Sequence, residues 1–452
     1  MPHGSPFRSR TALSGAVAFL TLTGSAGGAG FALIEQDVPG MGTAYAGAAA
    51  TADSLGTLYF NPAGMTRLSG TRATAAAHLV LPSSKFRNTG STFVLGGAPI
   101  PGSNGGDAGG LAAIPHAYFT HQMDDRTWLG FAVNAPFGLT TEYDSDWVGR
   151  YHAIRSAVKT INLNPSLAYR MSDRLSLSVG LNVMYLEGEF TNAIDFGTLN
   201  QIPAIQGGLG GALGPAGPGQ ADGRSAIEGD SWGYGFNLGA LIELDDSTRI
   251  GLHYRSEMEH DIDGDVRFDL PSPALAGVFS NAGVKADVTL PASFSLSAYH
   301  RVNDQWAIMA DYTWTGWSSI PELRFDFANG LPDGVTTFDW KDTDRVSAGA
   351  TYTPAGSGWT YRFGAAWDES PIRDTASRTP RLPDNDRIWL AVGAGWSPTP
   401  EITVDIGYAH LIIDDPEIAK TGAEPEDVTR GALNGSYDSR VDILSVQATY
   451  RF

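Results

Sequence analysis

Two cations flanked by aromatic rings are the groups in this sequence best suited to holding a small anion. Arg150 lies in Trp147-Val148-Gly149-Arg150-Tyr151-His152, and Lys341 follows Trp340. A guanidinium can grip a carboxylate through two parallel hydrogen bonds while neighbouring rings cover an attached apolar chain. Either cation can equally serve as an exposed loop charge or as half of an ion pair. No metal-binding histidine pair is visible: the nine histidines form no His-x-x-x-His pair. His78, His116, His121, His253, His300 and His410 fall in predicted strands, where packing explains them. Cysteine is absent, so neither a disulfide framework nor a thiolate metal site is available. We therefore expect no enzyme, no metal and no cofactor.

The elements that must position these residues follow from a charge deficit. Only 17% of the 452 residues are charged, against roughly 25% in soluble domains, so something other than water solvates part of the surface. The net charge of -19 leaves no basic face for nucleic acid. Residues 1–30 read as a secretory signal peptide: Arg8 and Arg10, then an apolar stretch, then Gly, Ala and Ser, with cleavage expected between Ala26 and Phe31. Beyond it no apolar run reaches the roughly 18 residues of a spanning helix, so a membrane would be crossed by strands.

Strand periodicity is clear. Leu175, Leu177, Val179, Leu181 and Val183 alternate with Ser176, Ser178, Gly180 and Asn182, and Leu444, Val446, Ala448, Tyr450 and Phe452 alternate with Ser445, Gln447, Thr449 and Arg451. That is apolar outward and small or polar inward, the pattern of a barrel wall in lipid. Fourteen candidates emerge, near 71–81, 114–122, 127–136, 157–170, 175–190, 231–244, 248–263, 287–301, 306–317, 342–353, 359–369, 387–397, 402–412 and 437–452. Short turns such as 123–126 and 302–305 alternate with long connections such as 82–113, 191–230 and 318–341. The expectation is an all-β, antiparallel up-and-down transmembrane barrel over 71–452 with both termini periplasmic. Residues 31–70 lack the period of two, are too few for their own core, and are dense in Gly and Ala; we read them as a plug folded into the lumen. Inward Gly, Ser and Ala, with such a plug, argue against a general porin. The Gly, Pro and Ala run from Gly207 to Gly219 reads as a flexible loop.

Further motifs run in order along the chain. They are Gly40, Gly42, Ala44, Tyr45, Ala46 and Gly47 leading to Asn61-Pro62-Ala63, then Phe137-Gly138-Leu139, Asn162 to Pro165, Asp311 to Trp317, Asp368 to Pro371, Leu382 to Arg387 with Trp389, and the terminal Phe452. In that order the sequence resembles the FadL family of outer-membrane long-chain fatty acid and hydrocarbon transporters. The resemblance implies a fourteen-stranded barrel closed by an N-terminal hatch carrying Asn61, Pro62 and Ala63. It also implies capture in an extracellular apolar groove, an inner pocket, a hatch movement and sideways exit through the wall of a Gram-negative outer membrane.

On that scheme Arg150 and Lys341 are the candidates for the ligand carboxylate. Phe137, Leu139, Leu199, Ile202, Ile205 and Leu209 are candidates for the groove. A lateral opening would form around Pro136, Gly138 and Pro165, because proline supplies no ladder donor. The hatch around Asn61 to Ala63 would face it. Expected partners are a fatty acid or a neutral hydrocarbon, outer-membrane lipid, and the barrel-assembly machinery, with the chain a monomer. A structural or adhesive barrel is the rival of a different class.

Overall fold

The computed structural model describes residues 29–202 and 211–452. The predicted signal peptide, Ala29 and Gly30 apart, lies outside the described residues, as do the groove candidates Ile205 and Leu209. Fourteen antiparallel wall strands close on themselves, the last pairing with the first from Arg72↔Arg451 to Asn88↔Gly435. In order they are Thr71–Asn88, Ala112–Gln122, strand three in two pieces (Thr127–Asn134 and Gly138–Glu142), Arg155–Ser172, Leu175–Asp195 and Asp222–Glu243. Strand seven is Thr248–Arg255 with Met258–Asp269, and strand eight is Ala282–Leu290 with Ser293–Arg301. Trp306–Thr315, Thr343–Tyr352, Trp359–Asp368, Arg387–Trp396, Ile402–Ile413 and Leu433–Arg451 complete the wall.

The alternation follows the pleat. Leu181 is 59% exposed on the outer face, whereas its neighbour Asn182 is 1% exposed in the lumen. The same outward row recurs in Phe294, Ile308, Val392 and Leu444. Such a belt of large apolar side chains is stable in lipid and would be an aggregation surface in water. Several strands are longer than their apolar pattern predicts. Strand one runs to Asn88, strand six begins at Asp222 and strand eight at Ala282, because ladder pairing continues above the membrane, where side chains no longer alternate in polarity.

Residues 31–70 lie inside the barrel as short helical turns, Val38–Gly42, Ala48–Thr51, Thr57–Phe60 and the 3-10 turn Pro62–Arg67. Wall side chains reach them all around. Gln447 accepts from the Val38 N–H at 3.2 Å, Ser297 from the Ala49 N–H at 3.0 Å, and Trp128 donates to the Leu68 carbonyl at 2.9 Å. Small residues permit this approach: a side chain at Gly251 would collide with the Ala49 carbonyl, and one at Gly364 with Thr43. Hatch alanines and inward wall glycines are two halves of one interface.

Candidate ligand-binding site

An apolar cavity lies toward the extracellular end, partly open to solvent. Its wall is built from the upper parts of strands four to eight, through Val158, Leu186, Phe190, Ile227, Ile262 and Val284. The connection after strand nine adds Leu323 and Phe325 from the hairpin strand Glu322–Phe327, together with Phe338 and Trp340. Leu139 closes it from strand three, and Phe31 forms its floor.

Arg381 supplies the buried cation of this cavity; Lys285, which also lines it, is exposed and lies 3.8 Å from Asp263. Arg381 stands between Pro380 and Leu382 in the connection before strand twelve and is 6% exposed. One guanidinium nitrogen donates to Ser156 Oγ at 3.0 Å, and the group lies 5.5 Å over the Phe190 ring. Among the described residues no carboxylate lies within ion-pair distance of it. Burial, and then the neighbouring Arg430, push its pKa down to about 9. It is still charged at neutral pH, as arginine is in proteins. A buried cation lacking an anion is costly, and an incoming carboxylate removes that cost.

The sequence candidates are distributed differently. Arg150 is buried in its loop, its Nε donating to Asp222 Oδ2 at 2.9 Å and its other nitrogens to the Pro101 and Trp147 carbonyls and to Tyr151 OH. Lys341 pairs with Glu369 at 2.6 Å. Leu139 lines the cavity and Phe137 packs in the same cluster, whereas Leu199 belongs to a separate cluster with Phe196 and Leu275. Ile202 is half-buried and lines neither cavity described here. The sequence reading passed over Arg381; its one signal was a basic residue between two prolines and beside leucine, with no acidic side chain among its immediate neighbours.

Beneath Phe31 an aromatic partition closes the cavity. Phe31 meets Trp317 at 5.1 Å and Phe137 at 5.7 Å between ring centroids, and Phe137 meets Trp317 edge-on at 6.2 Å. Phe137 and Trp317 also line a second cavity on the hatch side.

That second cavity reaches Pro136, where the wall is broken. Strand two pairs with strand three only from Ala117↔Val133 to Gln122↔Trp128, so Ala112 to His116 have no ladder partner there. Strand three stops at Asn134 and resumes at Gly138, which pairs with Lys159. The start of the hatch covers the break: the Leu33 N–H donates to the Pro136 carbonyl at 2.7 Å, the Gly138 N–H to the Phe31 carbonyl at 2.9 Å, and Gln36 Nε2 to the Ala135 carbonyl at 2.8 Å.

Two expectations are corrected here. Pro165 does not widen this seam, because it pairs with Phe131 across strand three; its missing donor interrupts the ladder toward strand five, which skips Asn164 and Pro165. Asn61 does not face the break either. Its amide donates to the Ala240 carbonyl of strand six at 2.9 Å and to Ala49 at 2.7 Å, while its Oδ1 accepts from the Ala63 N–H, capping the turn that Pro62 begins.

A closed barrel with an apolar outer belt, an occluded lumen and an apolar cavity on the extracellular side defines an outer-membrane transporter of hydrophobic molecules. Residues 19–452 match the family described as outer membrane protein transport protein (OMPP1/FadL/TodX), and the chain belongs to that family. It is 31% identical over 414 residues to the long-chain fatty acid transport protein of Escherichia coli K12, covering 88% of this chain and 90% of that one. Its fold matches the crystal structure of a Pseudomonas aeruginosa FadL homologue with a TM-score of 0.83 at 24% identity, over 94% of this chain and all of that one. It also matches the P. putida toluene transporter TodX with a TM-score of 0.65 at 16% identity, over 92% and 99% of the two chains. The protein resides in the outer membrane of a Gram-negative cell.

Proposed function

We propose that this chain takes up long-chain fatty acids, binding the carboxylate at Arg381 and the acyl chain in the apolar cavity beside it. The observation that carries this reading is the buried guanidinium that, among the described residues, has no carboxylate partner, set in a mostly apolar wall. A neutral hydrocarbon gains from the wall and gives Arg381 nothing. A fatty acid satisfies both, and each methylene it buries contributes about 0.8 kcal/mol. The naming of the Escherichia coli relative points the same way.

From the cavity the ligand passes the aromatic partition into the hatch-side cavity and leaves sideways at Pro136 once residues 31–36 withdraw. Release is into outer-membrane lipid, from a monomer assembled by the barrel-assembly machinery. The second reading, uptake of neutral aromatic or aliphatic hydrocarbons, draws on the almost wholly apolar lining.

The two readings separate on one variant. Arg381→Gln should weaken oleate binding by roughly 1.5–3 kcal/mol, about 10- to 100-fold, as for a hydrogen bond to a charged group, and leave an alkane of equal length unchanged. Titration of both ligands against the variant reads this directly. Equal affinities for oleate in wild type and variant would transfer the case to neutral substrates.

A further inference from the structure

Three buried polar groups with unsatisfied atoms gather where the hatch meets strands ten to twelve. Glu35, in the segment that covers the wall break, is 0% exposed, and beyond its own backbone N–H neither carboxylate oxygen has a hydrogen-bond partner. Among the described residues no cation lies within ion-pair distance of it. Arg345, on strand ten and likewise buried, donates through Nη2 to the Ala44 carbonyl at 2.9 Å, while its Nε and Nη1 have no hydrogen-bond partner. The hydroxyl of Tyr45 has none either. Buried polar groups are ordinarily satisfied. An acid and a base that feel each other's charge, both left open, are two halves of a contact that the seated hatch keeps apart.

The other charged and titratable groups around Glu35 are committed elsewhere. Arg387 of strand twelve pairs with Asp384, and Asp368 of strand eleven accepts from Trp389 at 3.3 Å and stands 3.9 Å from Arg345 Nε. In the hatch, Asp37 accepts from the Gly40 N–H at 2.8 Å and from Ser54 Oγ at 2.9 Å, and the Tyr59 ring lies 4.5 Å from the Arg255 guanidinium. Burial raises the Glu35 pKa from the ordinary 4.5 to about 7, so the seated hatch retains a proton there that a freed one releases.

We propose that Glu35 is a proton-operated latch on the hatch. Protonated, it keeps residues 31–36 over the break at Pro136. Ionised, it leaves its apolar seat for the open donors of Arg345 and draws that segment off strand three, where its neighbours Leu33 and Gln36 bond the Pro136 and Ala135 carbonyls. The seated state is the one with the raised pKa, so proton binding favours it in full below 4.5. That preference is lost as the pH rises through about 7, by at most about tenfold per pH unit for a single proton. Acid therefore shuts the wall and neutral pH frees it. The latch rests on the withdrawal of residues 31–36 proposed above, and not on the chemistry of the ligand.

The test uses the full-length protein in lipid nanodiscs without ligand, with a nitroxide at Ala32→Cys read by electron paramagnetic resonance between pH 4 and 8. The label does not titrate, and the chain has no native cysteine. With Glu35 intact, the mobile fraction should be smallest near pH 4, rise between 5 and 7 and level off above. Glu35→Gln, a permanent stand-in for the protonated acid, should hold the acid value throughout. Arg345→Lys should keep the rise and Arg345→Gln should lose most of it; a full rise in the glutamine variant would overturn the pairing. A rise of the same size in Glu35→Gln, or a flat profile with Glu35 intact, would overturn the latch. Where the profile is flat, saturating oleate at pH 8 separates the causes. A label freed by oleate leaves the exit at Pro136 standing without the latch, and one that stays rigid removes the exit with it. If the labelled chains fail to assemble, judged by heat-modifiable migration, infrared spectra of the unlabelled protein decide. A buried carboxylic acid C=O band should fade over the same pH range and be missing in Glu35→Gln, and a spectrum identical in the two proteins would overturn the latch.

Discussion

Arg150 and Arg381 carry the same group beside aromatic rings, and only their neighbours separate their roles. Asp222, 72 positions along the chain, takes the first guanidinium, and nothing in a linear reading places that carboxylate there. Arg150→Ala should therefore loosen its loop by about 1–3 kcal/mol, the cost of a partly exposed ion pair with carbonyl contacts, and leave ligand affinity as it was. Limited proteolysis near residues 144–155, alongside oleate titration, checks both halves. His152 in the same loop provides a pH test. Burial first, then Arg430 and Lys420, hold its pKa well below the ordinary 6.5, and the nearby Asp427 is shared with Lys420 at 3.4 Å and Arg430 at 3.7 Å. A depressed folded-state pKa means that the unfolded loop binds the extra proton more readily. The stabilisation is thus complete above 6.5 and lost as the pH falls below it. Protease protection of this loop should fade on going from pH 7.5 to 5, and His152→Gln should flatten that dependence.

Among the elements, the wall was legible because lipid imposes a strict period of two, and Pro136 was legible as a break because proline has no ladder donor. The hatch could be recognised by its glycines and alanines, but its contacts could not. Its composition suits any close-packed wall, and only the fold assigns Asn61 to strand six and residues 31–36 to strand three. The start of the hatch can therefore be cross-linked directly to strand three. Ala32 and Phe137 are antiparallel bridge partners, a spacing within disulfide reach, and the chain has no cysteine to interfere. The double variant Ala32→Cys, Phe137→Cys should assemble normally, transport oleate only at background level when oxidised, and regain uptake on reduction. Undiminished transport in the oxidised form would send the ligand by another route.

At the scale of the whole molecule, two cavities in series are separated by three rings and capped below by a hatch fitted closely to the wall. The partition has an electrical meaning as well as a chemical one. A hydrated ion would have to shed its water to pass between Phe31, Phe137 and Trp317, and no row of charges compensates it there. In a planar bilayer the protein should show no steady ohmic current, only the baseline of the lipid, whereas Trp317→Gly combined with Phe31→Ala should raise the baseline. A cell can therefore carry many copies without short-circuiting its outer envelope to salts or small polar antibiotics, because what moves through the barrel must be greasy enough to part the rings.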